Sequence, residues 1–162
     1  MRKHNSFIIS WIVLCFVLCT PFLLSAAEKN NGLSSGQTVY VPAYSHIYSG
    51  NRERPFMLTI TLSIRNIDPN HYLTISQINY YETQGKLLKR HIDKPFNLKP
   101  LESLRYVIPE SDKGGGSGAN FVVKWHSDKL LNPPIIESIM IGARNQQGIS
   151  FTSRGKVIHT TN

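Results

Sequence analysis

From residue 56 to residue 65 the chain alternates without a slip, with Phe56, Leu58, Ile60, Leu62 and Ile64 on one side and Thr59, Thr61, Ser63 and Arg65 on the other. Period two is what a strand with one buried and one wet face requires. The same character recurs over residues 38–48, 73–82, 87–92, 103–108, 120–126, 135–141 and 149–158, the last with a break near Gly155. Turn chemistry stands between these runs: Asp68-Pro69-Asn70, Thr83-Gln84-Gly85-Lys86, Asn132-Pro133-Pro134 and Asn145-Gln146-Gln147-Gly148. No segment beyond residue 27 keeps a 3.6-residue apolar repeat for three turns. The pattern predicts an all-β domain, an antiparallel β-sandwich of immunoglobulin-like type with seven to eight strands, a small barrel being the alternative. Pro42 cannot donate to a ladder and belongs at an edge or beside a bulge. The apolar phase slips between Ile75 and Ile78, which predicts a bulge there. Trp125 alternates in phase with Phe121 and Val123 and is expected in the core between the sheets.

The first residues set the compartment. Met1-Arg2-Lys3-His4-Asn5-Ser6 precedes an uncharged run over residues 7–24, and Ser25-Ala26-Ala27 follows at once. That order is the one of a secretory signal, so a signal helix over residues 1–27, cut before Glu28, is expected. The alternative is an uncleaved anchor, since about 20 apolar residues span a bilayer, although Pro21 would interrupt such a helix near its outer end. On either reading the domain works outside the cytoplasm, periplasmic or extracellular, and touches a membrane only through this segment if it is retained. Cys15 and Cys19 are the only cysteines. Each follows a leucine where a lipid-modification site wants a small residue. The chain beyond residue 27 therefore has neither a disulfide nor a thiolate metal ligand, and its stability must come from packing. Residues 28–36 are polar and rich in glycine and serine, as in a flexible spacer. Residues 37–158 form the domain, and 159–162 are expected to fray.

Charge narrows the partners. The chain has 18 Lys and Arg against 10 Asp and Glu, and without Arg2 and Lys3 the balance is +6. A positive exported domain meets anionic envelope polymers, or another envelope protein, rather than nucleic acid. The plain alternative is that such a charge keeps a small domain soluble.

Three segments carry a resemblance: Tyr40-Val41-Pro42-Ala43-Tyr44-Ser45-His46-Ile47-Tyr48, Leu58-Thr59-Ile60-Thr61-Leu62-Ser63-Ile64-Arg65-Asn66, and Gly115-Gly116-Ser117-Gly118-Ala119-Asn120-Phe121-Val122-Val123-Lys124-Trp125. They resemble the best-marked segments of an uncharacterised bacterial exported family, domain of unknown function 3124. The resemblance covers residues 37–158 and implies a single exported domain. It brings no functional residues with it.

Candidate sites are few. Gly114-Gly115-Gly116-Ser117-Gly118 could form a backbone nest for an anion, so Gly115, Gly116, Ser117, Gly118 and the adjoining Asn120 are candidate ligand contacts. A phosphate loop proper needs a Lys-Ser or Lys-Thr ending and a following helix, and an esterase elbow also needs that helix; here a strand follows, so Ser117 is not read as a nucleophile. Lys86, Lys89, Arg90, Lys94 and Lys99 face only Asp93 nearby, and Lys89 and Arg90 are read as a basic grip. Lysines that deter edge pairing would look the same. Histidines 46, 71, 91, 126 and 159 have no metal-site spacing, and only His126 with Asp128 lie close on one segment. No metal, cofactor or catalytic set is expected. Tyr40, Tyr44 and Tyr48, spaced by four, would share one face of a single strand.

The reading is a binding or accessory module at the cell envelope, with no ligand named. A hydrolase assembled only in three dimensions and a structural partner domain are the alternatives. A concave site holding His126, Asp128 or Ser117 beside a second titratable group would favour the hydrolase, a flat basic or aromatic face binding, and a large apolar patch the partner domain.

Overall fold

The computed structural model describes residues 32–48, 53–144 and 146–161. The signal segment at 1–27 and residues 28–31 of the spacer lie outside them. Every regular element described is a strand: β1 (Ser34–Pro42), β2 (His46–Tyr48), β3 (Pro55–Met57), β4 (Thr59–Arg65), β5 (Leu73–Tyr81), β6 (Leu87–Arg90), β7 (Phe96–Leu98), β8 (Ser103–Ile108), β9 (Asn120–Leu131), β10 (Ile135–Arg144), β11 (Gln147–Arg154) and β12 (Lys156–Thr161).

All pairing is antiparallel. The large sheet runs β12-β1-β9-β5-β6, with β7 also beside β5, and the small sheet runs β11-β10-β4-β8. β2 and β3 form a separate ribbon. The inner faces of the two sheets meet in one core: Val39, Val41, Ile78, Tyr80, Phe121, Val123 and Trp125 from the large sheet, and Ile60, Leu62, Ile64, Ile136 and Met140 from the small one. This is the sandwich that the alternation demands. In a constant-type immunoglobulin sandwich the second and fifth main strands pair in one sheet, and the third and sixth in the other. Here β4–β8 and β5–β9 are those two pairs. The flanks are exchanged, since the first strand lies beside β9 and the seventh main strand, β10, beside β4.

Twelve strands are described against the seven or eight expected: three alternating runs break where the chain changes partners, and β7 is an added short strand beside β5. The chain leaves the large sheet after Pro42, whose pairing to β12 has already ended at Tyr40. At Gly155 it crosses from the small sheet to the large one, where a Cβ would come within 2.9 Å of the Ile136 carbonyl and press on Val39. Only glycine allows that crossing. Pairing also outruns the expected domain ends: Gly36 faces Thr161 and Ser34 faces Leu131. Residues 34–36 and 159–161 are thus strand. The phase slip in β5 is a bulge between Ile75 and Gln77.

The break after Pro42 separates the three tyrosines. Tyr40 stays in β1, Tyr44 packs edge-on against Phe151 with centroids 5.7 Å apart, and Tyr48 is 54% exposed in β2.

One side of the sandwich is closed by a histidine. His91 follows β6, donates its amide to the Ile78 carbonyl, and lays its ring between Tyr106 of the small sheet (4.8 Å) and Phe121 of the large one (5.9 Å). Its Nε2 is buried without a partner among the described residues. Burial first, and the Lys89 charge second, lower its pKa to about 4. The fold therefore favours neutral imidazole: the stabilisation is present above the unfolded value of about 6.5 and is lost as pH falls towards 4. A shift of this size is worth about 3 kcal/mol at full burial, and partial exposure reduces it to about 1–2 kcal/mol. Urea midpoints should fall accordingly between pH 7 and pH 4.5, and His91→Phe should remove most of that slope. An unchanged slope in the variant would place the acid sensitivity elsewhere.

Candidate functional site

The glycine loop connects β8 to β9 at the end of the sandwich where β5 turns into β6. The space that a Gly115 Cβ would need is filled by the Tyr80 hydroxyl, with Ser45 Oγ at 2.6 Å and the Ala119 methyl at 2.9 Å. Gly116 has φ +79° and lies against Thr83 Oγ1. The Gly115 carbonyl accepts from the Thr83 amide and hydroxyl, both at 3.0 Å, and the Gly116 carbonyl accepts from the Ser45 amide at 2.9 Å. The amides of Gly118 and Gly114 donate to Thr83 Oγ1 and Asp112 Oδ1. Close backbone approach is what this sequence provides, and the protein's own Ser45, Tyr80 and Thr83 take it up. Ser117 is half-buried within the same loop. Beneath it, Ser45 Oγ and Tyr80 Oη share a buried hydrogen bond of 3.1 Å, and burial foremost pushes the Tyr80 hydroxyl's pKa up.

The register sorts the charged residues between faces. Lys89 pairs with buried Tyr80 and Arg90 with Asn79, so neighbouring cations point to opposite sides of β6. Arg90 belongs to the outer face of the large sheet. Across that face one row reads Lys156, Tyr40, Val122, Asn79 and Arg90. The next towards the glycine loop holds Pro42, Asn120 and Tyr81. On the other side His159, Thr38, Lys124 and Gln77 form a third row, and Thr161, Gly36, His126, Thr74 and Asn97 a fourth. These rows contain no carboxylate. In the six strands of this sheet Asp128 is the sole acid. The outer face of the small sheet differs, since Arg154 and Arg105 flank the Glu137–Ser63 pair and Arg65 reaches Glu137 at 3.8 Å. It also exposes Val107, Ile135 and Ile141.

A cleft of about 230 Å³ opens where the fourth row ends, lined by Thr74 and Asn97 with His71, Tyr72, Asp128 and Lys129. Its wall is tied from behind. Asp68 Oδ1 accepts from the amides of Asn70 and His71, both at 2.9 Å, and from His71 Nδ1 at 3.0 Å. The Asn70 amide foremost, with help from His71, holds the Asp68 carboxyl below the usual range despite its burial. Asn66 Nδ2 donates to the carbonyls of His71, Leu98 and Lys99. Ser127 Oγ donates to the Tyr72 carbonyl at 3.2 Å. The cleft does hold Asp128 with His71 and Lys129, the combination that would favour a hydrolase, but the His71 Nδ1 is engaged by Asp68 in organising a loop, and the nearby Ser127 hydroxyl is spent on a backbone carbonyl rather than held as a nucleophile. Among the described residues no three His, Cys, Asp or Glu side chains converge as for a metal.

A family model described as "Protein of unknown function (DUF3124)" matches residues 36–158, most of the chain. The chain belongs to the DUF3124 family. Its matched span takes in the glycine loop, the cleft and nearly all of the outer face of the large sheet. No curated protein matches this DUF3124 chain. Among solved structures it is similar to the crystal structure of Thermotoga maritima 1070, with 15% identity over 77% of this chain and 97% of that one and a TM-score of 0.46.

Of the residues singled out in the sequence, Arg90 and Asn120 share the outer face with β5 between them, Lys89 turns away, and the glycines hold the loop at that face's end. Sequence reasoning missed Lys124, Lys156 and Tyr40 as companions of Arg90, because only strand register unites them.

Proposed function

We propose that this DUF3124 protein is an exported module that binds an anionic polymer of the cell envelope along the outer face of the large sheet. The observation that carries the reading is that face's composition: Arg90, Lys124 and Lys156 interleaved with Tyr40 and Tyr81, amides and hydroxyls between them, and no carboxylate in the four rows. An extended polyanion gains from several fixed cations in a row, each modest alone in water. Tyrosines and amides take up the sugar or backbone atoms between its charges. Export rests on the basic start, the uncharged residues 7–24 and Ser25-Ala26-Ala27. Intact mass of the exported chain should correspond to a start at Glu28.

Reversing Lys124 and Lys156 together to glutamate should weaken binding to polygalacturonate at low salt by roughly tenfold or more, about 1.4 kcal/mol, while thermal stability changes by less than about 0.5 kcal/mol. Surface plasmon resonance on immobilised polymer reads this directly. Equal affinity of the reversed and natural proteins would remove the face from the account.

A further inference from the structure

The cleft beside the fourth row does not have the character of the flat face. At about 230 Å³ it is smaller than the roughly 300–1,000 Å³ of pockets for drug-sized ligands, a size that suits a single small ring. Its lining is polar except for one aromatic ring, Tyr72, which is 55% exposed and stacks on no other ring among the described residues. An occupant that satisfies such a wall offers hydroxyls to many donors and acceptors, and one face of C–H groups to an aromatic ring. That is the chemistry of a pyranose.

The wall is also organised in advance, which a binding site needs and a chance hollow does not. The hydrogen bonds to Asp68 orient the His71 ring and leave its Nε2 edge outside that pair. The Ser127 hydroxyl receives the Lys129 amide and donates to the Tyr72 carbonyl, so Tyr72, Asp128 and Lys129 are held by one small bonding unit. Thr74 Oγ1 donates to Asn97 Oδ1 at 2.9 Å, which turns the Asn97 amide nitrogen free of that bond. Asp128, the sole carboxylate of the sheet's strands, lines the cleft together with Lys129, and a carboxylate there can accept paired sugar hydroxyls.

We infer that this cleft is a subsite for one sugar ring of a glycan, with Tyr72 as the stacking platform, Asp128 as hydroxyl acceptor, and Lys129, Asn97 and His71 as further polar contacts. This deepens the reading above, on which it rests for the polymer, by making the recognised chain a glycan. Cations on the face take its charge and the cleft takes a ring.

Neutral sugars separate the two parts, since they offer nothing to the cations. The isotope-labelled protein is titrated with millimolar trisaccharides of glucose, galactose, mannose and N-acetylglucosamine, and amide shifts are followed by NMR. At least one sugar should shift Tyr72, Asn97 and Asp128 together. Tyr72→Ala and Asp128→Ala should each weaken that sugar by about tenfold or more, Tyr72→Phe should keep it, and Lys124→Glu should leave it unchanged while weakening polygalacturonate. Absence of shifts around Tyr72 with all four sugars, or equal affinity in the natural protein, Tyr72→Ala and Asp128→Ala, would overturn the subsite. If the cleft is silent while Lys124→Glu still weakens the polymer, the subsite falls and the face stands. If a sugar fills the cleft while polymer binding ignores Lys124→Glu, the face falls instead.

Discussion

Gly115→Ala is expected to destabilise the domain by about 3 kcal/mol, most of it from a single collision. The added methyl would overlap the Tyr80 hydroxyl and press on Ser45 Oγ and Ala119 Cβ. Tyr80 is 1% exposed and its ring packs at 4.8 Å on Phe121, so it has nowhere to retreat. Overpacking of this kind costs about 1–3 kcal/mol, and parting the buried Ser45–Tyr80 hydrogen bond adds about 1–3 kcal/mol for the groups left without partners. Gly114→Ala serves as the control, because its Cβ would meet only Asp112 Oδ1 at 3.2 Å and Leu88 Cδ1 at 3.7 Å. It should change stability by less than about 0.5 kcal/mol. Tyr80→Phe removes the nearest of the three obstructing atoms, so Gly115→Ala should cost less in that background, a coupling of about 1 kcal/mol or more. Urea denaturation of the four proteins reads the cycle. Simple additivity would mean that the loop does not close on Tyr80.

Trp125→Ala should cost about 3–5 kcal/mol, the range for removing a large aromatic from a packed core. Trp125 is 2% exposed, sits centrally in β9 between Gln37 of β1 and Ile75 of β5, and faces the small sheet. Its Nε1 has no partner among the described residues, so Trp125→Phe forfeits packing without orphaning a polar group and should cost clearly less than alanine. A loss well below 1 kcal/mol in Trp125→Ala would put the side chain at the surface and contradict the core described here.

The place of Trp125 was readable because strand periodicity is local. Phe121, Val123 and Trp125 share a phase, and no tertiary fact is needed to turn them the same way. The bulge in β5 was readable for the same reason. Where strands end was harder to read, since Pro42 and Gly155 mark changes of partner that depend on the opposite sheet. The glycine loop announced close approach, but not that the approaching group is a tyrosine hydroxyl 35 residues back along the chain from Gly115. The outer face of the large sheet was not legible in any window. Tyr40, Arg90, Lys124 and Lys156 lie in four different strands, and one residue of slip in any pairing would send its side chain to the core. The basic run is divided by the strand it lies in: Lys89 and Arg90 are adjacent in sequence and on opposite sides of β6.

An anionic polymer is expected to touch the outer face of the large sheet. The most direct measurement is amide shift mapping of the labelled protein during titration with polygalacturonate. Shifts are expected at Thr38, Tyr40, Lys124, Gln77 and Arg90, fading as salt is added, with the outer face of the small sheet around Thr61, Ile139 and Ile141 unmoved. Shifts centred on Thr61, Ile139 and Ile141 instead, or none on either face, would contradict it.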